Sequence, residues 1–338
     1  MHKHGWLIVA VSSLLVAGCS RGPEGLGVGE TPEGDAARCG ALASGMGLTM
    51  HTHPTNHFLV VSAADSESDL ATGRFLDQVA ERFYQSFAQA GFSLSPVGYK
   101  LVCVCLNSYG ELDAYGRKAD GAEASWMDGY YSYRTNRVAV VRVGGPRQPR
   151  ADAPLPPPAD GAAYAYSCGK AALGDGLNLT TTTHEVAHQL AFNSGLQKPD
   201  ATYPFWLTEG LATNFEADSS GSYGLAQQAS RYRGRLADIK ARGRMVPLGQ
   251  FTGMINAPAG HEQEIRDAYA QAWGLFAFLL QHRREQLKGY MASLAGAPLG
   301  YQDSPSLRRG FMATFGPIDL LEKEFVSFID GPAGGRSS

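Results

Sequence analysis

Charge of either sign is scarce in this sequence. Its 338 residues include only 29 Lys and Arg against 32 Asp and Glu, a net charge of −3, and no run rich in Lys or Arg stands out. A nucleic-acid binder that works by neutralising phosphates is excluded on that ground. Beyond the N-terminus no apolar stretch approaches the ~18 residues that a membrane-spanning helix needs. Residues 272–280 are apolar but too short, and read as a buried helix. No collagen-like, coiled-coil or solenoid period is visible, so repeat architectures are set aside. What is present suits a folded globular protein: 44% of residues are hydrophobic and 18% charged, as one large domain or two ordinary ones. The 41 glycines point to long loops.

The first residues read as an address. Met1-His2-Lys3-His4 is short and basic, residues 6–16 are apolar, and Ala17-Gly18-Cys19 follows. That is the make-up of a secretory signal, too short to span a membrane as a mature helix. The ending Leu15-Val16-Ala17-Gly18-Cys19 resembles the bacterial lipobox. The resemblance implies a signal peptide over residues 1–18, a lipid on Cys19 and, because Ser20 rather than Asp follows, outer-membrane sorting in a host with two membranes. The expectation is an exported protein held to the cell envelope by that lipid. Residues 19–54, rich in Gly, Pro, Glu and Ala, read as a flexible tether.

Export permits disulfides. With Cys19 lipidated, Cys39, Cys103, Cys105 and Cys168 remain, and four cysteines allow three pairings. Cys103 and Cys105 stand at strand spacing on one face, where a direct bond would be strained. The favoured expectation is therefore that Cys39 and Cys168 each reach one of them. A cysteine zinc site is the weaker alternative, since Cys-x-Cys is not the usual ligand spacing.

Residues 55–330 read as one folded domain whose pattern changes along the chain. Residues 58–61 are a short apolar run. Residues 69–90 carry Leu70, Phe75, Val79, Phe83 and Phe87 at helical spacing, closed by Gly91. Residues 97–106 alternate as a strand does, and 130–143 hold a further strand signal, strongest at 137–143. A Pro-rich stretch covers 149–158. From Leu177 onward nearly everything reads as helix, roughly 179–194, 205–217, 222–242, 262–284, 286–296 and 317–329. The expected class is α+β: a sheet-bearing lobe over about 55–150, then a helical lobe over about 175–330.

The chemistry concentrates at Thr183-His184-Glu185-Val186-Ala187-His188-Gln189-Leu190. Four residues are just over one helical turn, so both imidazoles project from one face and can share one Zn²⁺. Glu185 stands beside the first of them, placed to take a proton from water made acidic by a metal. A catalytic zinc needs a third protein ligand. The metzincin pattern requires Gly and His at positions 191 and 194, which here are Ala191 and Ser194, so that class is rejected. Glu209 follows His188 by 21 residues, enough for the first helix to end near Gly195 and a second to return antiparallel. It stands in Phe205-Trp206-Leu207-Thr208-Glu209-Gly210-Leu211-Ala212, with Leu207, Leu211 and Phe215 as the apolar stripe of that helix.

His-Glu-x-x-His followed about twenty residues later by Trp-Leu-x-Glu-Gly-x-Ala resembles the gluzincin metallopeptidases, and most of all their peptidase-MA-like domains. The resemblance spans roughly residues 130–285. It implies a zincin, thermolysin-like fold with one Zn²⁺ between the lobes. His184, His188 and Glu209 would be its ligands and Glu185 the general base in hydrolysis of a peptide or protein substrate. Tyr269, in Tyr269-Ala270-Gln271-Ala272-Trp273-Gly274, resembles the tyrosine that opens a gluzincin helix and donates to the oxyanion; His261 is the alternative donor. The acid that thermolysin-like relatives carry four positions after the ligand Glu is here Thr213, so Thr213, Asn214 and Glu216 are candidates to orient the ligands, Glu216 above all. The Gly-x-Met-Glu-Asn segment of gluzincin aminopeptidases is missing from 120–175, which favours endopeptidase action. The strand at 137–143 is the candidate edge for an extended peptide.

Two other functions fit the same residues: a zinc-bearing lipoprotein without turnover that binds or scaffolds, and a hydrolase of cell-wall amides. His51-x-His53-x-x-x-His57 reads as a solvated loop rather than a metal site. Asn178-Leu179-Thr180 matches a glycosylation sequon, which a bacterial lipobox discounts.

Overall fold

The computed structural model describes residues 31–63, 66–125, 127–142, 176–199, 201–218, 221–225, 229–258, 262–297 and 302–331. The signal segment, Cys19, the Pro-rich stretch, Cys168 and His261 lie outside the described residues. The fold is α+β, with a mixed sheet in the N-terminal part and a mostly helical C-terminal part.

In chain order the sheet part comprises helix α1 (Pro32–Ser44), strands β1 (His51–Pro54) and β2 (Phe58–Ser62), and helix α2 (Ser66–Gln89). It continues with β3 (Leu101–Leu106), α3 (Tyr109–Tyr115) running into a π-turn over Gly116–Asp120, β4 (Gly129–Ser132) and β5 (Arg137–Val141). The helical part comprises α4 (Leu179–Asn193), α5 (Phe205–Phe215), α6 (Ala229–Ala241), α7 (Leu248–Phe251), α8 (Glu262–His282), α9 (Arg284–Gly296), α10 (Ser304–Phe315) and α11 (Ile318–Asp330). No described helix is long and apolar enough to cross a membrane.

The strand order is β1-β2-β3-β5-β4. β2, β3 and β5 are parallel, and the outer strands β1 and β4 run antiparallel to their neighbours. The inner strands Phe-Leu-Val-Val-Ser, Leu-Val-Cys-Val-Cys-Leu and Arg-Val-Ala-Val-Val are buried throughout, as parallel strands covered on both faces must be. Their alternate residues divide between two cores. Phe58, Val60, Leu101, Cys103, Cys105, Val138 and Val140 join Phe75, Val79 and Phe83 of α2 and Val186 and Leu190 of α4. Leu59, Val61, Val102, Val104, Ala139 and Val141 join Ala36 and Cys39 of α1 and Leu112 and Tyr115 of α3. Arg142, buried just past β5, donates to Ser62 (2.7 Å), Asp69 (2.8 Å) and Thr72 (3.1 Å), tying the start of α2 to the ends of β2 and β5.

Several expectations need correcting. Residues 32–54 are not a free tether, since α1 covers one face of the sheet and β1 forms its edge. Thr31 caps α1, accepting from the Gly34 amide, and Pro32 opens it. Asp35 accepts from Arg137 of β5 at 2.6, 3.0 and 3.2 Å with both partners buried. Cys39 does not pair with Cys103 or Cys105: all three are free thiols, and Cys39 lies on the opposite face of the sheet from the other two. Burial pushes the Cys39 thiol up to about 11, and the neighbouring Cys105 thiol together with burial holds Cys103 high as well, so neither is a reactive thiolate. Of the histidine run only His57 lies in a loop, between β1 and β2. His51 and His53 stand on β1, where His53 Nε2 meets Asp69 at 2.8 Å. The strand expected from 97 begins at Leu101, and the helix expected from 222 begins at Ala229.

The helical part is organised around the packing of α5 on α8. A Cβ placed on Gly210 would lie 2.6 Å from the Ala272 carbonyl oxygen and 2.8 Å from Phe276 Cβ, so the helices approach closely there because residue 210 has no side chain. Asn214 locks the pair, donating to Gly210 O (2.7 Å) and across to Trp273 O (2.9 Å). Gly210→Ala is expected to destabilise the fold by about 1–3 kcal/mol despite the better helix propensity of Ala. The urea midpoint of the purified protein, at unchanged slope, measures it.

Candidate metal centre

Helix α4 begins at its cap Asn178, which accepts from the Thr181 amide (3.2 Å) and donates to Asp128 Oδ2 (3.1 Å). Asn178 is buried, so the sequon is closed to a glycan. Residues 182–191 of α4 are buried from end to end, which carries the His-Glu-x-x-His face into the protein. Gly195, at φ +84°, ends the helix in the left-handed turn that glycine permits. Helix α5 then starts after Pro204, with the Phe205 amide donating to Met254 O (2.7 Å), and Glu209 comes one turn in.

Three ligand-type atoms converge. His184 Nε2 lies 3.1 Å from His188 Nε2 and 3.3 Å from Glu209 Oε2, and His188 Nε2 lies 3.6 Å from that oxygen. All three residues are buried. Among the described residues this is the group that can hold a metal ion. The edge between two ligands of a tetrahedral zinc at ~2.05 Å is about 3.3 Å, so the three atoms stand at the spacing such an ion requires. Two imidazoles and a carboxylate also form the nitrogen and oxygen donor set that Zn²⁺ accepts. The three side chains also act on one another's charge. Burial lowers the affinity of His184 for its proton, but hydrogen bonds to Glu209 and Glu216 reverse this and raise its pKa well above the usual value. Burial would raise Glu209, yet the charge of His188 and hydrogen bonds from both imidazoles hold it far below the usual carboxylate range.

Glu185 is buried beside His184, and its charge acts on that imidazole. Tyr269 is brought to the centre as well: its ring centroid is 6.3 Å from that of His184 and 5.3 Å from that of Phe205, against which it packs T-shaped.

Around the ligands, Glu216 holds the place its sequence position suggested. Its Oε1 accepts from His184 Nδ1 at 2.7 Å, the carboxylate contact that fixes a ligand imidazole. Thr213 and Asn214 do something else. Thr213 bonds back to Glu209 O (2.6 Å), and Asn214 braces α5 against α8. Sequence reasoning missed three residues. The Ala217 amide donates to Thr183 Oγ1 (2.7 Å), and Thr180 Oγ1 donates to Ala217 O (2.8 Å), pinning the end of α5 to α4 beside Glu216. Tyr232 of α6 reaches the same carboxylate, at 3.0 and 2.8 Å from its two oxygens. The threonines stand on the helix carrying the histidines and were findable by periodicity; nothing near Tyr232 in sequence marks it.

The peptide-edge expectation is corrected by the strand order. The strand at 137–141 is internal, and β4 is the edge. Gly129 of β4 packs so closely on α4 that a Cβ there would lie 3.1 Å from Thr181 Cγ2.

Residues 178–299 match a family described as a protein of unknown function, DUF1570. No curated protein matches the chain. The matched stretch contains α4 with His184, Glu185 and His188, α5 with Glu209, and α8 with Tyr269, so the chain resembles that family across the whole candidate metal centre.

Proposed function

We propose that this protein is an exported, lipid-anchored zinc peptidase of gluzincin type that cleaves within peptide or protein chains. The observation that carries the reading is the convergence of His184 Nε2, His188 Nε2 and Glu209 Oε2 at 3.1–3.6 Å with Glu185 buried beside them. His184, His188 and Glu209 would hold the ion. Zn²⁺ bound there supplies Lewis acidity, polarising a carbonyl and making water acidic near neutral pH.

The chain's own residues supply the rest. Glu185 takes the proton of the attacking water and delivers it to the departing amine. Tyr269 donates its hydroxyl hydrogen to the carbonyl oxygen as charge gathers there. Strand β4 positions the substrate. The Val141 amide donates to Asp128 O (2.9 Å), and the register pairs Tyr130 with Ala139 and Ser132 with Arg137. In an antiparallel ladder the hydrogen-bonded pairs alternate. Tyr130 and Ser132 therefore spend their peptide groups on β5, while Gly129 and Tyr131, buried like the rest of β4, turn theirs away from β5, toward the side on which an extended peptide would add as a further strand. This support favours a peptide over a cell-wall amide, which has no strand to add. Export and anchoring rest on the N-terminal sequence and its lipobox-like Cys19.

Metal content is the test. Purified protein is expected to carry about one zinc per chain, measured by elemental mass spectrometry, and Glu209→Ala to lose most of it under the same dialysis. A folded wild-type protein that takes up no added zinc would sink the reading.

A further inference from the structure

We propose that Tyr232 is a positioning residue of the metal centre, acting through Glu216 to fix which nitrogen of His184 faces the ion. The inference rests on the metal-site reading above. Glu216 follows the last residue of α5, and its backbone (φ −51°, ψ 151°) has left the helix, so its side chain departs from the line of the α5 face. Bonds from Thr180 and Thr183 to the next residue, Ala217, hold that exit against α4. The carboxylate is buried and lies between two groups. On one side Oε1 accepts from His184 Nδ1 at 2.7 Å. On the other the Tyr232 hydroxyl stands 2.8 Å from Oε2 and 3.0 Å from Oε1.

A hydroxyl has one hydrogen to give, and the shorter approach gives it to Oε2, which leaves Oε1 for the imidazole. A proton held on Nδ1 puts the lone pair on Nε2, and Nε2 is the atom facing His188 and Glu209. The phenol ring is itself fixed, stacked on Trp273 of α8 at 5.9 Å and 20°. Tyr232 thus joins α6 and α8 to the ligand shell, and its hydroxyl stops the carboxylate from rotating off the imidazole. Tyr232→Phe removes only that hydroxyl and keeps the stacked ring.

The test compares zinc affinity, by chelator competition, and the visible spectrum of the Co²⁺-loaded protein in the full-length wild type, Tyr232→Phe, Glu216→Ala and the double variant. Zinc affinity is expected to fall about tenfold in Tyr232→Phe with a changed Co²⁺ spectrum, and at least as far in Glu216→Ala. Because Tyr232 acts through Glu216, adding Tyr232→Phe to Glu216→Ala is expected to change nothing further. Wild-type affinity and spectrum in Tyr232→Phe, or additive losses in the double variant, would overturn the proposal. Should Tyr232→Phe fail to fold, ¹⁵N NMR of the zinc-loaded wild type decides: a protonated Nδ1 on His184 supports the relay, and a bare Nδ1 overturns it. Failure of the metal reading itself would show separately, as a wild type that binds neither ion.

Discussion

Replacing Glu185 by Gln is expected to lower kcat on a peptide substrate by about 10²–10⁴-fold while zinc per chain stays at the wild-type level. The expectation follows from where the side chain stands. Three atoms converge at metal-ligand spacing, from His184, His188 and Glu209, and Glu185 is not among them. Its carboxylate is buried beside His184 and contributes to the field on that ring. Gln matches Glu in shape and still forms hydrogen bonds, so α4 keeps its packing, but an amide cannot accept the proton of an attacking water. The two readouts separate the possibilities. Lost activity with retained zinc identifies a base. Lost zinc would make Glu185 a ligand, and unchanged kcat would leave a metal site without peptidase chemistry. Tyr269→Phe, assayed beside it, reads the oxyanion donor without touching the ligands.

How much of this site the sequence disclosed depended on distance along the chain. His184, Glu185 and His188 share one helical face through local geometry, and Glu209 comes back to them through one turn at Gly195. Both relations are written in spacing, so the metal site was legible. The Glu216 contact with His184 spans 32 residues and was approachable because His184 lies on one site helix and Glu216 directly follows the other. Tyr232 was not, since α6 joins the site by tertiary packing and its neighbours Arg231 and Arg233 look like an exposed helix.

The sheet lobe shows the same division. β2 was visible as an apolar run and β3 by its alternation, but the pairing of β5 with β3 rather than at the edge is a long-range choice. It makes the hairpin partner β4 the outer strand. Helix α1 was misread because Pro-Glu-Gly-Asp-Ala-Ala-Arg-Cys-Gly-Ala-Leu-Ala-Ser has almost no large apolar side chain. It packs with small ones, Ala36, Cys39 and Ala43, and the Asp35–Arg137 ion pair ties it to β5.

That ion pair sets the largest effect on stability. Asp35→Ala is expected to destabilise the protein by about 3–5 kcal/mol, read from the denaturant midpoint. Arg137 extends from an inner strand under α1, and its guanidinium meets Asp35 through both Nε and Nη2. The Tyr115 hydroxyl, at 3.5 Å, is a weaker partner. Removing Asp35 strips the buried cation of the carboxylate that its Nε and Nη2 contact, and a guanidinium cannot shed its proton to escape. Most of the cost is that stranded charge rather than the lost attraction, so a second change should recover it. Asp35→Ala with Arg137→Met, which replaces the charge by an apolar chain of similar length, is expected to be more stable than Asp35→Ala alone. If instead the double variant were as unstable as the single, the loss would belong to packing of α1 and not to the charge. The comparison matters for the metal centre too. Arg137 pairs with Ser132 at the far end of β4, so an undocked α1 would loosen the strand proposed to hold the substrate. Zinc content, set by α4 and α5, should remain at the wild-type level in both variants while they stay folded.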